Sequence, residues 1–131
     1  MVTAILVSTL LAFLLGFLWY SPAVFGKAWL DAVGKNVGDV QETTMAMHAV
    51  SIIGWLAAAF VYAFMINHPM LKGDVQDYLF LSIALWGAFM MPPKAAAIMH
   101  GNFNTKLLWI DGGYHLAGYL IFAIVFKIFV A

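Results

Sequence analysis

The C-terminal stretch Lys106–Ala131 is the feature that most constrains what this chain can fold into. It reads KLLWIDGGYHLAGYLIFAIVFKIFVA, which is long enough to cross a bilayer, since a spanning helix takes about 20 residues. Asp111 and His115 lie four residues apart within it, so a helix places both side chains on one face. If the helix starts near Thr105, Asp111 lies ~9 Å and His115 ~15 Å into a ~30 Å hydrocarbon core. An acid facing lipid is unfavourable, so we expect this face to meet protein or a water-filled cavity.

The composition extends this expectation to the whole chain. Of the 131 residues, 65% are hydrophobic and 9% are charged, whereas soluble domains carry about 25% charged residues. The sequence therefore predicts an integral membrane protein. A formal net charge of zero gives no basic surface for nucleic acid, and the lack of cysteine excludes a disulfide framework or a thiolate metal site. The first apolar run, Val2–Tyr20, lacks a positively charged start and a good cleavage site, so we expect a retained helix.

Three further apolar runs complete an all-α fold, a polytopic four-helix transmembrane bundle that forms a single domain over residues 1–131. Asp39 and Glu42 have the spacing of a capping box and predict the start of the second helix. Asp74 is the expected N-cap of the third helix, and Asp77 lies in its first turn, where the helix dipole favours negative charge. The expected helices cover about residues 2–20, 40–66, 75–91 with a short continuation over 93–99, and 105–130.

The segment after the first helix predicts a turn and a short interfacial helix. Pro22 disfavours the helical conformation at Ser21, so the first helix should end there. Residues 23–33 have an apolar side and a charged side, as interfacial helices do, and Gly34 is a suitable stop. The residues of this interfacial and turn motif are Trp19, Tyr20, Ser21, Pro22, Lys27 and Trp29.

Pro92 and Pro93 follow the third apolar run directly. A proline inside a helix removes a hydrogen bond and clashes with the preceding turn, so this pair predicts a break at the end of the third helix. We expect Lys94 and Ala95 to lie off the axis of the preceding helix.

Small residues form a stripe along the first helix. Ser8, Ala12 and Gly16 recur every four residues and therefore share one face. Such a face lets another helix approach closely, so it predicts a helix–helix contact within or between subunits.

The lysines are distributed unequally between the two ends of the bundle. Cytoplasmic loops of membrane proteins are enriched in positive charge. The richer end should therefore be cytoplasmic, with the loops after the first and third helices inside and both termini outside. The richer end carries Lys27, Lys35, Lys94 and Lys106, and the other end carries Lys72 and Lys127.

Three stretches together resemble a known family. They are LWYSP with FGKAW in residues 18–29, the Pro92-Pro93-Lys94 segment, and Gly113-Tyr114-His115-Leu116. The set is similar to the small four-helix membrane proteins called domain of unknown function 1761, and the resemblance covers nearly the whole chain. It implies the fold and the topology and carries no activity. Members of that family often have Asn where Asp111 stands, so the resemblance implies no shared role for a carboxylate there.

The polar residues of the spans concentrate in the half of the bilayer nearer the lysine-rich loops. One interpretation is a one-sided polar cavity, because ionisable groups inside membranes usually mark functional sites. The alternative is a structural network in which Asp111 pairs with Lys94 and His115 bonds a neighbouring group, since buried polar groups need partners. The side chains expected in the cavity or network are Asp111, His115, Lys94, Tyr114 and His48.

Two functions follow from these interpretations. The first is a homo-oligomeric transporter or channel for a small solute or protons, in contact with lipid throughout. The second is a non-transporting scaffold or lipid-binding protein whose polar network is structural. We expect no enzyme, no cofactor and no metal, because neither a nucleophile motif nor a phosphate-binding loop nor a metal-ligand spacing appears in the sequence.

Overall fold

The computed structural model describes residues 1–39 and 42–130, and all of its longer elements are helices. Four helical stretches are long and apolar enough to cross a membrane, as the sequence predicts. The third of these stretches, Val75–His100, consists of two α-helices joined by the π-helical segment Trp86–Met90. The helices are α1 (Val2–Trp19), α2 (Gly26–Val33), α3 (Met45–Ile66), α4 (Val75–Leu85), α5 (Met91–His100) and α6 (Lys106–Val130).

Helix α6 is the centre of the bundle and contacts all the other helices. Its glycines leave room for neighbouring side chains. A Cβ at Gly112 would lie 2.7 Å from the sulfur of Met91, and a Cβ at Gly118 would overlap the ring of Trp55. The close packing of α6 therefore depends on the absence of side chains at these positions.

The small stripe of α1 lies against α6, which confirms the predicted helix–helix contact. Ser8 and Ala12 are completely buried. The hydroxyl of Tyr114 donates a hydrogen bond to the carbonyl of Ala12 over 3.1 Å. A Cβ at Gly16 would lie 3.0 Å from the same hydroxyl oxygen. This face of α1 accommodates the aromatic ring of α6.

The bundle is tightly packed in the half farther from the lysine-rich loops. Tyr62, Phe122 and Phe126 are among its largest fully buried side chains. The Tyr62 hydroxyl donates to the Tyr78 carbonyl over 2.8 Å, and Ser82 donates to the Tyr119 carbonyl over 2.7 Å. These bonds satisfy the polar atoms within an otherwise apolar core.

The start of α4 is as predicted, and the start of α3 is not. Asp74 is the N-cap of α4 and Asp77 lies in its first turn, as predicted, and the Asp77 carboxylate also accepts a hydrogen bond from the Asp74 backbone. The start predicted at Asp39 is wrong, because α3 begins at Met45 with Thr44 as its N-cap, whose hydroxyl accepts from the Met47 backbone. A threonine in an extended conformation caps a helix in the same way. Residues 40 and 41, which formed part of that predicted capping box, lie outside the described residues.

The segment after α1 has the predicted turn and short helix. Helix α2 begins at Gly26 rather than at residue 23, and Gly34 ends it in the left-handed conformation with φ of 69°. This confirms Gly34 as the stop, since glycine adopts that conformation without strain.

The interruption of the third span lies before Pro92 and Pro93. The chain remains helical through both prolines to His100, and the irregular segment is the π-helix Trp86–Met90. The prolines occupy the first turn of α5, where a missing N–H is tolerated. In a regular helix their rings would clash with the carbonyls of residues 88 and 89, and both of those residues lie in the wider π-helical turn.

Candidate functional site

Asp111 of α6 and Lys94 of α5 form an ion pair. The Lys94 Nζ lies 3.3 Å from Asp111 Oδ2, and the side chains are 24% and 19% exposed. The hydroxyl of Tyr20 donates to the other oxygen, Oδ1, over 2.7 Å. Each carboxylate oxygen therefore has its own partner, one from the third span and one from the turn after α1.

The backbone around Asp111 is held by three further side chains. Three consecutive carbonyls of α6, at residues 110 to 112, each accept a side-chain hydrogen bond. Trp19 donates to the carbonyl of residue 110 over 2.9 Å, and Trp86 of the π-helical segment donates to that of residue 112 over 2.8 Å. The His115 Nδ1 lies 2.8 Å from the carbonyl of Asp111. Helix α6 is thereby fixed on both sides of the acid.

The hydrogen bond of His115 determines which ring nitrogen carries its proton. A carbonyl oxygen only accepts, so Nδ1 carries the hydrogen and Nε2 presents a lone pair in the neutral form. The ring stacks on Trp55, with a centroid distance of 5.5 Å. His115 thus supports the backbone of Asp111 and does not contact its carboxylate.

Tyr114 belongs to the packing between helices rather than to the surroundings of the carboxylate. Its hydroxyl accepts from Trp55 Nε1 over 2.8 Å and donates to the carbonyl of Ala12 over 3.1 Å. It joins α1, α3 and α6 in a single chain of hydrogen bonds. Tyr114 is therefore part of a polar network, as predicted, and its hydroxyl connects the helices rather than binding the carboxylate.

His48 lies apart from this network. Its ring stacks on Phe17 at 5.4 Å and meets Phe13 edge-on at 6.0 Å. The prediction that His48 shares a site with Asp111 is therefore corrected. The reason is its position near the start of α3, which packs it against the outer face of α1.

An open cleft leads to the ion pair. Its volume is about 240 Å³. Lys94 and Asp111 are its only charged lining residues among those described, and its walls come from α2, α5, α6 and the loop before α6. The apolar part of the lining is Trp29, Val33, Ala97, Ile98, Phe103 and Leu107. The ion pair is therefore accessible from the end of the bundle that carries the lysine-rich loops.

The turn after α1 positions two of the groups around Asp111. The Phe25 backbone donates to the carbonyl of Trp19 over 2.9 Å, and the Ser21 hydroxyl donates to the carbonyl of Leu18 over 2.7 Å. A Cβ at Gly26 would lie only 2.5 Å from the carbonyl oxygen of Tyr20. The compact turn needs glycine at this position, and it directs Trp19 and Tyr20 towards α6.

The other members of the predicted turn motif lie farther from the ion pair. Pro22 and Lys27 are exposed. Trp29 lines the cleft and meets the Tyr20 ring edge-on at 6.4 Å. Within the motif, Trp19, Tyr20 and Trp29 therefore contribute directly to the site or its entrance.

Tyr20 acts as a neutral donor in this arrangement. Burial, together with the hydrogen bond to the Asp111 carboxylate, raises the pKa of Tyr20 far above its ordinary value. The phenol therefore keeps its proton throughout the physiological range. Among the described residues, no group of three or more His, Cys, Asp or Glu side chains is placed to hold a metal ion.

Sequence reasoning did not find the roles of Tyr20, Trp19 and Trp86. Aromatic residues at the end of a span usually mark the membrane interface, and the sequence predicts that position for Trp19 and Tyr20. Their partners lie 91 positions away along the chain. The turn that redirects them contains Pro22 and Gly26, and these two residues are the local signal.

Three apolar helical stretches packed around a fourth, the central helix α6, together with a charged pair that lines an open cleft, define a small polytopic membrane protein with an ion pair inside its spans. The chain belongs to the family described as protein of unknown function (DUF1761), whose pattern matches residues 3–127. This confirms the resemblance seen in the sequence. No curated protein and no solved structure matches the chain.

Proposed function

We propose that this protein transports a small solute or protons across the membrane, with Asp111 and Lys94 as the loading site. The observation that carries the proposal is the partly exposed ion pair in the lining of the cleft. Charged groups inside a span are costly and are retained mainly where a substrate or proton uses them. The proposed role is binding and translocation rather than catalysis.

The cleft limits the size and the chemistry of the solute. Its volume of about 240 Å³ is below the roughly 300–1,000 Å³ of sites for drug-sized ligands. A cationic group of the solute could replace Lys94 at Asp111, and an anionic group could replace Asp111 at Lys94. A proton could bind Asp111 directly. A small polar or charged solute therefore fits better than a large apolar one.

The cleft lies at one end of the bundle, so transport needs a second state or a second copy. The half of the bundle farther from the lysine-rich loops is closed by buried side chains, namely Tyr62, Ser82, Phe122 and Phe126. The π-helical segment Trp86–Met90 connects the two halves of the third span, and such segments often occur at functional sites. We propose that the passage is completed by rearrangement at this segment within a homo-oligomer.

The proposed orientation follows the lysine distribution. The cleft carries Lys94 and opens on the side with the greater number of lysines. The positive-inside rule then places this opening in the cytoplasm and both termini outside. Solute would enter the cleft from the cytoplasmic side.

The experiment is uptake of small solutes by proteoliposomes, followed by light scattering after an osmotic step. We expect wild-type vesicles to admit at least one of glycerol, glycine or acetate faster than empty vesicles. Lys94→Met should abolish the difference, and Lys35→Met, which removes an exposed loop lysine, should retain it. The mass of the protein in mild detergent, from light scattering during size exclusion, should be a multiple of 14.4 kDa.

A structural scaffold or lipid-binding protein is the second candidate, and one observation favours it. Among the described residues, every fully buried side-chain nitrogen or oxygen atom has a hydrogen-bond partner. A network satisfied in this way can serve to fix the helices alone. This candidate predicts no flux through wild-type vesicles for any of these solutes or for protons.

A further inference from the structure

A second cavity lies at the end of the bundle opposite the cleft, and the proposed transport does not use it. Its volume is about 340 Å³. It is formed by the end of α3, the loop from α3 to α4, the start of α4 and the end of α6. Its polar lining is Asn67, His68, Lys72 and Tyr78, and Ile66 and Leu71 contribute apolar wall.

Tyr78 has a hydroxyl without a partner in this cavity. The residue is only 3% exposed, yet its hydroxyl makes no hydrogen bond to any described residue. The hydroxyl oxygen is not fully enclosed, because no fully buried side-chain oxygen in the described chain lacks a partner. Tyr78 is one of the residues that line the cavity. Since buried polar groups are nearly always bonded, the occupant of the cavity should accept from it.

Among the described residues, no acid forms an ion pair with the lysines around the cavity. Lys127 Nζ donates to the carbonyl of Gly73 over 2.9 Å and lies 5.7 Å from the centre of the Tyr78 ring. Lys72 is exposed at the rim. Within residues 1–39 and 42–130, the single ion pair is that of Lys94 and Asp111 at the other end.

The acids near this cavity are engaged by backbone groups. Asp77 Oδ2 accepts from the Lys72 backbone over 2.7 Å and from the Asp74 backbone over 3.3 Å. Asp74 and Asp77 also lie at the start of α4, where the helix dipole offsets negative charge. The cationic groups are Lys72 and Lys127, and the Tyr78 hydroxyl has no partner among the described residues. Together they suit an anion with several acceptor oxygens.

We propose that this cavity binds the phosphate of an anionic phospholipid in the leaflet opposite the cleft. Lys72 contributes charge, as lysines near a membrane surface do for anionic lipids. The Tyr78 hydroxyl donates to a phosphate oxygen. Ile66 and Leu71 contact the glycerol and the first carbons of the acyl chains. The position of the cavity at the end of two membrane-length helices places it at the depth of the headgroups.

The test measures bound lipid by native mass spectrometry of the detergent-purified full chain. The probes are phosphatidylglycerol and phosphatidylcholine with identical acyl chains. Wild type should bind phosphatidylglycerol more tightly than phosphatidylcholine. Lys72→Gln and Tyr78→Phe should each weaken phosphatidylglycerol binding about tenfold, since each removes a contact to a charged group. Tyr78→Phe should fold normally, because the hydroxyl it removes has no partner among residues 1–39 and 42–130.

The controls are Lys35→Gln, an exposed lysine at the other end, and Tyr119→Phe, a tyrosine outside this cavity. Both should bind phosphatidylglycerol as wild type does. Inorganic phosphate added as a competitor separates the two sources of the anion. Displacement shows that the site recognises phosphate itself, and retention shows that it needs the whole headgroup, so either result supports the proposal. Equal binding of the two lipids by wild type, or unchanged binding by both cavity variants, would overturn it.

Discussion

The Tyr20 hydroxyl donates a hydrogen bond to Asp111 Oδ1 over 2.7 Å, across 91 positions of the sequence. This bond joins the turn that follows α1 to the central helix α6. It orients the carboxylate so that its other oxygen, Oδ2, faces Lys94. The position of the ion pair in the cleft therefore depends on a turn that lies outside the spans.

Removing this hydroxyl should destabilise the protein. Tyr20→Phe leaves one carboxylate oxygen without its donor, and hydrogen bonds to charged groups contribute about 1.5–3 kcal/mol. Because Asp111 is partly exposed, we expect the lower part of that range. The measurement is thermal unfolding in detergent, with Tyr119→Phe as the matched control. Equal melting of Tyr20→Phe and the control would show that water replaces the phenol.

Substitutions at Asp111 should separate its shape from its charge. Asparagine has one acceptor oxygen, which can accept from Tyr20, but its amide NH2 cannot pair with Lys94, so Asp111→Asn should lose less stability than Asp111→Leu. Asp111→Leu leaves both Tyr20 and Lys94 without their partner and should cost about 1–3 kcal/mol. The check is the free energy of unfolding of each variant. A leucine variant as stable as wild type would show that the network does not hold the helices together.

The packing of α6 makes a prediction at Gly118. A methyl group at this position would overlap the Trp55 ring, which is rigid and itself 6% exposed. Gly118→Ala should therefore destabilise the bundle by about 1–3 kcal/mol. Gly54→Ala is the matched control, because a Cβ there meets nothing within 4 Å. The control should melt at or above wild type, since alanine favours helix by up to ~1 kcal/mol.

If unfolding in detergent shows Gly118→Ala to be as stable as Gly54→Ala, the contact between Trp55 and α6 is looser than described. The same pair of variants tests the role of α6 as the central helix. The small face of α1 can be examined likewise with Gly16→Leu, which would press on Tyr114.

The orientation in the membrane can be tested by labelling. The chain has no cysteine, so a single cysteine introduced at Lys35 or at Met70 is the only reactive thiol. In intact cells a membrane-impermeant maleimide should label Met70→Cys and should spare Lys35→Cys until the cells are opened. Labelling of Lys35→Cys from outside would reverse the proposed orientation of the cleft.

The sequence predicts the spans well because each depends on local properties. Length and apolar composition determine the four stretches. Gly34 ends a helix and Asp77 stabilises the start of one, and each does so through groups within a few residues of its own position. The pair of Asp111 and Lys94 could also be expected, since the chain has few charges and both lie on the same side. In contrast, the contacts of Tyr20 and Trp86 depend on how turns and π-helical segments redirect side chains in three dimensions.

The differences from the predictions have similar physical causes. The third span is interrupted near Pro92 and Pro93, as predicted, but the irregular segment precedes them, because a first helical turn tolerates prolines and the π-helix absorbs the clash. His48 has the right chemistry for a polar site but stacks on Phe17, because the direction of α3 decides which face it presents. Residue type alone does not determine which polar groups meet.

The proposed transport through the Asp111 site is tested most directly by proton flux into proteoliposomes. A pH-sensitive dye inside the vesicles reports acidification after an external pH step, with valinomycin and potassium to compensate charge. If protons are the substrate or accompany it, wild type should acidify the lumen faster than empty vesicles. Asp111→Asn, which keeps the fold, should reduce the rate to that of empty vesicles. Wild-type vesicles that match empty ones, for protons and for the small solutes alike, would contradict the transport role and favour a structural one.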